Sequence, residues 1–479
     1  MTLARYTPWI GGAALPAEGR AFDTVLSPQS GLPAAEVARG TAEDYERAVG
    51  AAQSAFATMR AMPRHARRDL LVRIATALEG RRQEFGAAIA QSCGKPIGQA
   101  LGEVDRAIIT FSLAADEARR FSGEVIPLDV DSRAAGMDGL VHRFPVGPVS
   151  AITPFNFPLN LLVHKVAPAI AVGTALVVKP PPQCPQLAFM LGELMATCGL
   201  PAGAYNVLHL PIPLAEQLAT DPRFRLLTFT GSPTVGWHLK SVAGKKKVVL
   251  ELGGNAAAVV HEDAGDLDWV AARLALGAFA YAGQVCIKVQ RVLVHAPIYD
   301  SFASKFTAAA AALAVGDPMD PKTVVGPMID KGAADRVESW IEEAVAAGAK
   351  PLLRGKRQGN TLSPTVLANV PREAKVSCRE VFGPVATIAQ YRDWAEALAM
   401  VNDSEFGLQA GVFTHDINRI YQAFNTLEVG GVIVNDFPTL RVDNFPYGGV
   451  KDSGFGREGI RYAMEDMSEM RMLVLNLNR

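Results

Sequence analysis

Between Gly147 and Asn255 the chain repeats one arrangement that restricts its fold more than any other feature. Five short apolar runs rich in β-branched residues (PVSAITP, TALVVKP, YNVLHL, RLLTFTGS and KKVVLELGG) each end in turn residues, with helical patterns such as Pro185–Cys198 and Pro213–Ala219 between them. Continuous apolar strands alternating with helices predict a parallel sheet covered on both faces. Ligands of such sheets bind outside the carboxyl ends of the strands. Four loops therefore matter: Thr153–Pro158, Lys179–Pro185, Thr230–Gly236 and Glu251–Asn255. A second alternating segment begins near Leu267 and runs through helices at Ile298–Leu313 and Ala333–Ala347 to strands near Val385–Tyr391 and Gly431–Asn435. A boundary is expected close to Gly253–Gly254.

Upstream, Trp9–Gly12 and Val25–Pro28 read as short strands. Thr41 and Asp44 make a capping signal before Tyr45, Val49, Ala52 and Phe56 at helical spacing. Helices are predicted over Arg64–Gly80 and Gly98–Phe121, with Leu70, Ile74 and Leu78 on one face of the first. Ser122–Phe144, with strands at Val125–Leu128 and Leu140–Phe144, reads as an excursion. The tail Met464–Asn478 holds the strand-like MRMLVLNL, for which no preceding partner is evident, so it is a sheet edge of its own domain or an arm for another subunit.

A chain of 479 residues exceeds the roughly 250–300 that one core supports, and two to four domains are expected. Net charge of −1 gives no basic footprint for nucleic acid. The most apolar run, between Lys165 and Lys179, is too short to span a bilayer. The opening MTLARYTPWIGG lacks the regions of a signal peptide. Five cysteines with no CxxC spacing indicate neither a disulfide framework nor a zinc site, and fit reduced thiols in the cytoplasm.

Several residues carry chemistry. Cys286 stands in AYAGQVCIKVQR. Alone it reads as a small buried hydrophobe, and it becomes a nucleophile only where it meets substrate and a neighbour favours the thiolate. Asn156 in TPFNFP closes an apolar strand, where a fixed amide can donate to an oxyanion or simply shape a turn. Lys179 ends VVKP, a place to meet ribose or phosphate or merely solvent. Gly231, Ser232 and Gly236 in FTGSPTVG offer a backbone cradle for phosphate before a helix. Glu251 in LELGGN is a candidate general base or a strand-end charge. The G-x-G-x-x-G match at Gly454, Gly456 and Gly459 follows FPYGGVKDS rather than an opening strand, and reads as a turn and helix start instead of a dinucleotide fingerprint.

PFNFP, VVKP, FTGS, LELGG, GQVC, REVFGPV and FPYGGVKDSGFGREG follow one another in this order along nearly the whole chain. In them the sequence resembles the aldehyde dehydrogenase superfamily, near its lactaldehyde, phosphonoacetaldehyde and non-phosphorylating glyceraldehyde-3-phosphate branch. The resemblance implies an α/β fold with two Rossmann-like domains and a small β oligomerisation arm. Coenzyme binding would fall to residues 1–121 and 144–253, catalysis to 254–463 and the arm to 122–143 with 464–479, as a homodimer or homotetramer. It implies that Cys286 attacks a small aldehyde, that the Asn156 amide and the Cys286 N–H hold the oxyanion, and that hydride passes to NAD or NADP. Glu251 would then activate the water that hydrolyses the thioester, which requires a raised pKa.

Lys179, Ser232 and Gly231 would meet the adenosine ribose and phosphates. Thr153 and Pro154 would flank the coenzyme, and Glu380 with Phe382 would hold the nicotinamide ribose. Pro182 stands where NAD-preferring members place Glu, which implies that NADP is accepted. Arg379 replaces a residue that is often acidic and takes no role. Phe157, Leu161, Val285, Ile287, Phe437 and Phe445 would line the substrate channel. Arg106 and Arg441 would meet an anionic aldehyde, unless they are ordinary ion-pair arginines. The rivals are a dehydrogenase that passes its thioester to coenzyme A, a non-catalytic relative that keeps the fold, and a papain-like hydrolase. Retention of Glu251 speaks against the first, and Cys286, Glu251 and Asn156 together against the second. The third needs a positioned histidine, and none of the eight stands in a partner motif.

Overall fold

The computed structural model describes residues 3–476. Met1, Thr2 and residues 477–479, which include the start of the opening stretch and the end of the tail, lie outside the described residues. The five apolar runs form the parallel centre of an eight-stranded sheet. Its order there is Lys247–Glu251, Leu226–Thr230, Val149–Ile152, Leu176–Lys179, Tyr205–Val207. The register sets Ile152 beside both Lys179 and Phe229, and Thr230 beside Glu251. The four loops named from sequence therefore leave the sheet at one level. The chain lays its strands first to one side of Val149–Ile152 and then to the other, and that reversal opens a crevice at the carboxyl ends.

The G-x-G-x-x-G stretch is an edge of this sheet. Gly454–Phe455 pairs antiparallel with Leu250 and Glu251, and the helix Ile460–Asp466 follows Gly459. This is the turn and helix start expected of it.

Helices cover both faces. Thr41 and Asp44 form a complete capping box for Ala42–Ala61, which buries Tyr45, Ala48, Val49, Ala52, Ala55 and Met59. Phe56, expected on that face, is only half-buried. Arg64–Gly80 has the predicted bounds, and the next predicted helix spans Ile97–Arg120. Between them lies a further helix, Arg82–Cys93, that the sequence pattern does not announce. Its buried face mixes Phe85 and Ile89 with Gly86, Ser92 and Ala90, and so gives a weak apolar period.

The second sheet has seven strands in the order Lys350–Leu353, Thr365–Ala368, Val385–Tyr391, Arg291–His295, Ala257–Val260, Gln409–Phe413, Gly431–Val434, parallel except for the first. Its strands point their amino ends toward the crevice of the first sheet, because Gly253 and Gly254 join Glu251 almost directly to Ala257.

The tail takes the first of its two expected places, a sheet edge. Ser468–Asn476 has a partner in its own chain: it pairs antiparallel with Met137–Pro145 over nine residues, from Ser468 opposite Pro145 to Asn476 opposite Met137. Glu124–Pro127 completes this third sheet, and Ser468–Asn476 is one of its edges, with Met470, Met472, Leu473 and Val474 exposed. The two segments lie over 300 positions apart, and pairing at that distance leaves no local pattern. No helix among the described residues is long and apolar enough to cross a membrane.

Candidate active site

The sulfur is set by backbone rather than by neighbouring side chains. After the helix Leu267–Phe279 the chain turns through Tyr281, Ala282 and Gly283, all with φ between 52° and 66°. For the two residues with side chains this left-handed region costs roughly 1–2 kcal/mol each, so the surroundings must enforce it. Tyr281 is buried, donates from its hydroxyl to Cys93 O at 3.1 Å and from its N–H to Val324 O at 3.0 Å. Glycine is required next: a Cβ on Gly283 would lie 2.4 Å from Gly383 O, and one on Gly254 would lie 2.2 Å from Cys286 O. The loop is thus clamped between two other stretches of main chain.

Asn156 joins this loop directly. Its Nδ2 donates to Gln284 O at 3.0 Å, which leaves the second N–H of the amide available. Gln284 is itself buried and fixed, accepting from Ile329 N and donating to Tyr281 O and Pro327 O. The Cys286 thiol reaches the Tyr447 hydroxyl at 3.1 Å. Burial pushes this thiol up to about 11, against the Tyr447 hydrogen bond and the Arg441 charge, which favour the thiolate. Cys286 lies on the wall of two cavities, one on either side of it.

The larger, about 520 Å³, is lined by Thr153, Pro154, Asn156, Lys179, Pro182, Gly231, Ser232, Glu380 and Phe382. Several polar groups here lack protein partners. Thr153 Oγ1 is buried with none. Lys179 Nζ has only Pro180 O at 3.2 Å, and burial lowers its ammonium to about 8. Ser232 starts the helix Pro233–Val242 without a side-chain cap, so the first-turn N–H groups remain for an anion. Glu380 accepts from Gly254 N at 3.0 Å, and burial raises its carboxyl to about 7. Phe382 meets Phe155 edge-on at 5.8 Å. Arg379 points elsewhere and pairs with Glu405 at 2.8 Å.

The smaller cavity, about 290 Å³, is lined by Arg106, Phe157, Leu161, Val285, Ile287, Phe437, Arg441 and Tyr447. Phe445 packs against the cluster of Ile287, Leu408 and Tyr447 and is not one of the lining residues. Both arginines already hold carboxylates. Arg106 grips Asp443 through two nitrogens, at 2.6 and 3.2 Å, and its side chain is 30% exposed. Arg441 is 6% exposed, donates to Glu458 at 2.9 Å, and lies over the Tyr447 ring at 3.7 Å from its centroid. Its Nη2 also donates to His164 Nδ1 at 3.1 Å, so His164 Nε2–H donates to Asp443 at 2.9 Å. Burial and the Arg441 charge hold that imidazole neutral. Lys165 completes the buried set, bonding Glu458 at 3.0 Å and the hydroxyls of Thr228 and Thr230.

Glu251 closes its strand in this same interior. It is fully buried, neither carboxylate oxygen has a hydrogen-bond partner, and it lines neither cavity. Burial first, then the negative charge of Glu458, push its carboxyl well above the ordinary range. Gly448, at φ 154°, makes room for it, since a Cβ there would lie 2.9 Å from Glu251 Oε1. Burial and the Glu458 charge both favour the protonated acid over the carboxylate.

The structure thus brings most of the residues named from sequence to the two cavities, leaves Glu251, Phe445, Gly236 and Arg379 off their walls, and adds Tyr447, Asp443, Glu458, His164 and Lys165. Tyr447 and Glu458 stand inside FPYGGVKDSGFGREG, where nothing local marks them. Asp443, His164 and Lys165 carry no local signal. His261, Glu262 and His295 offer ligand atoms within 4.8 Å of one another. The two imidazoles are stacked at 4.3 Å and 17°, so their in-plane lone pairs run side by side instead of converging on one ion.

The model of the aldehyde dehydrogenase family matches residues 16–473. A 3-sulfolactaldehyde dehydrogenase of Priestia aryabhattai is 45% identical over 454 residues, covering 95% of this chain and 94% of that one. Among solved structures, aldehyde dehydrogenase 21 from Physcomitrella patens, in complex with the reaction product succinate, superposes with a TM-score of 0.97 at 44% identity, covering 100% and 99% of the two chains. The glyceraldehyde-3-phosphate dehydrogenase of Methanocaldococcus jannaschii complexed with NADP gives 0.90 at 38% identity, covering 95% and 99%.

Proposed function

This chain belongs to the aldehyde dehydrogenase family, and from that premise we propose that it oxidises a short aldehyde carrying a second, anionic group. It is an NAD(P)-dependent oxidoreductase that converts an aldehyde to the carboxylic acid. The substrate class rests on one observation: the guanidiniums of Arg106 and Arg441 stand on the wall of an otherwise largely apolar chamber that also holds the Cys286 thiol. A carboxylate, sulfonate or phosphate entering there would add to, or exchange with, the carboxylates these arginines hold. The relatives support this, being named for a sulfonated aldehyde, solved with the dicarboxylate succinate, or named for a phosphorylated aldehyde.

In the proposed mechanism the Cys286 thiolate attacks the aldehyde carbon, and the second N–H of Asn156 with the Cys286 N–H receives the oxyanion. Lys179, Gly231, Ser232 and Thr153 hold the adenosine ribose and phosphates, Pro154 flanks them, and Glu380 and Phe382 steady the nicotinamide ribose. Unpartnered Thr153 Oγ1 and the uncapped helix start fit such a ligand. The bound coenzyme supplies the hydride acceptor. Glu251 takes the proton of the hydrolytic water once its carboxyl ionises and turns from the space beside Gly448. Pro182 puts no carboxylate against a 2′-phosphate, which supports use of NADP.

We assign residues 1–121 and 144–253 to the coenzyme-binding part, 254–463 to the catalytic part and 122–143 with 464–479 to the arm, except that Gly454–Phe455 and the helix Ile460–Asp466 join the first sheet and its core. The open edge of Ser468–Asn476 supports assembly into a homodimer or homotetramer. Five free cysteines support a cytoplasmic location.

A panel of carboxylated, sulfonated, phosphorylated and uncharged short aldehydes, assayed separately with NAD and NADP, tests the substrate class. Arg106→Ala is expected to raise KM for the charged members by about 10- to 100-fold, from the loss of one charge-assisted contact. An unchanged KM for every charged substrate excludes Arg106 as the anchor. Acyl-CoA in place of free acid as product would favour the rival that transfers its thioester.

A further inference from the structure

We propose that the Tyr447 hydroxyl is a catalytic hydrogen-bond donor to the Cys286 sulfur, engaged when the sulfur is anionic at both the start and the end of turnover. The inference rests on Cys286 as nucleophile, and goes beyond it by supplying the neighbour that favours the thiolate.

The geometry is specific. Tyr447 Oη lies 3.1 Å from Cys286 Sγ, and the tyrosine is 3% exposed. Three contacts fix the ring. Its backbone makes a two-way bridge with Glu458, Tyr447 N–H to Glu458 O at 2.9 Å and Glu458 N–H to Tyr447 O at 2.6 Å. The Arg441 guanidinium covers one ring face at 3.7 Å. The side chain of Glu458 holds that guanidinium in place at 2.9 Å. One short segment therefore pins the tyrosine by its main chain and the cation by its carboxylate.

Chemistry assigns the direction of the bond. With the thiol protonated either group can donate. Once the sulfur has lost its proton it can only accept, and the phenol is the better donor of the two. A bond to an ionised acceptor is about twice as strong as a neutral one, so the hydroxyl stabilises the thiolate more than the thiol. A cation over the ring face draws electron density from the phenol and strengthens it as a donor. Glu380 and Glu251, when ionised, oppose its ionisation, whereas Arg441 and Tyr447 favour it. The hydroxyl is thus one of two groups that counter burial and two carboxyls.

The same contact serves twice. In attack, the sulfur lone pair forms the S–C bond while the carbonyl π pair moves to oxygen, and the hydrogen bond weakens as charge leaves the sulfur. In hydrolysis, water adds to the thioester carbon and loses a proton to Glu251. Collapse of the tetrahedral adduct then breaks the C–S bond and returns its electron pair to the sulfur, where the hydroxyl receives it. Tyr447 keeps its own proton throughout.

Tyr447→Phe keeps the ring and its Arg441 contact and removes only the hydroxyl. The rate of Cys286 alkylation by iodoacetamide, followed by peptide mass because Cys378 is also accessible, is measured between about pH 7 and 10. At each pH the variant is expected to react about 10- to 100-fold more slowly, the equivalent of a one- to two-unit rise in thiol pKa. Replacing Tyr447 with 3-fluorotyrosine, a stronger donor of nearly equal size, is expected to move the rate the other way, and it decides the matter if the phenylalanine variant does not fold. Unchanged rates in the folded variants overturn the proposal. If Cys286→Ala retains turnover, the nucleophile assignment itself fails. If that variant is inactive and the alkylation rates do not move, only the role of Tyr447 is lost.

Discussion

The two cavities that meet at Cys286 treat their polar groups in opposite ways. On the 290 Å³ side each cation already faces a carboxylate before any ligand arrives, Lys95 with Glu103, Arg106 with Asp443 and Arg441 with Glu458, with His164 between the last two pairs. Arg441 Nε itself has no hydrogen-bond partner. On the 520 Å³ side Thr153 Oγ1 has no partner, Lys179 Nζ has a single carbonyl, and the helix at Ser232 begins uncapped. An unpaired buried donor is a penalty that a ligand removes on binding, whereas a satisfied ion pair must be shared or exchanged. The larger cavity is therefore built to be filled by one invariant ligand. The smaller one can change its preference through which pair it opens.

The sharpest break would come at the shared wall. Cys286→Ala should lower aldehyde oxidation by about 10⁴-fold or more, as for other removed nucleophiles, while coenzyme titrates normally in the larger cavity. Loss of coenzyme binding in that variant would mean that the two cavities are not separable. Next is Glu251, which belongs to neither. Burial and the Glu458 charge favour its protonated form, and the ionised base gains as pH rises through a pKa well above the usual carboxylate value. The hydrolytic step should therefore accelerate toward alkaline pH. Glu251→Gln should give one equivalent of reduced coenzyme followed by turnover about 10²- to 10⁴-fold slower. A variant that shows steady turnover with no burst would remove Glu251 from the mechanism. The smallest effect is expected within the coenzyme side. Pro182→Glu should shift the ratio of kcat/KM toward NAD by about tenfold, the work of one added carboxylate near a partly exposed phosphate site. Equal ratios before and after would detach Pro182 from coenzyme choice.

Much of this arrangement was readable in the sequence because it is carried by strand ends. Apolar runs closed by turn residues announced the parallel sheet, and the register then brought Asn156, Lys179, Ser232 and Glu251 to one level without further information. What escaped detection depends on contacts between distant segments. Tyr447 reaches a sulfur 161 positions away, Arg106 meets an Asp443 337 positions on, and the tail strand finds Met137–Pro145 from the far end of the chain. No window of local pattern holds such pairs. Glu251 was legible as a carboxylate at a strand end, but its isolation from hydrogen-bond donors was not, because that depends on what surrounds a buried side chain.

The clamp around the sulfur loop has a consequence for how such a protein can diversify. A single added carbon at Gly254 or Gly283 would collide with main-chain oxygen at 2.2 or 2.4 Å, and main chain cannot rotate aside as a side chain can. The backbone that carries the reacting atom is therefore located by peptide geometry, independently of the apolar residues that shape the chamber. Leu161, Ile287 and Phe437 are free to be exchanged for larger, smaller or more polar groups, and the nucleophile would keep its address while the guest changes. A mutational library built on this scaffold would find its tolerant and intolerant positions only a few ångströms apart.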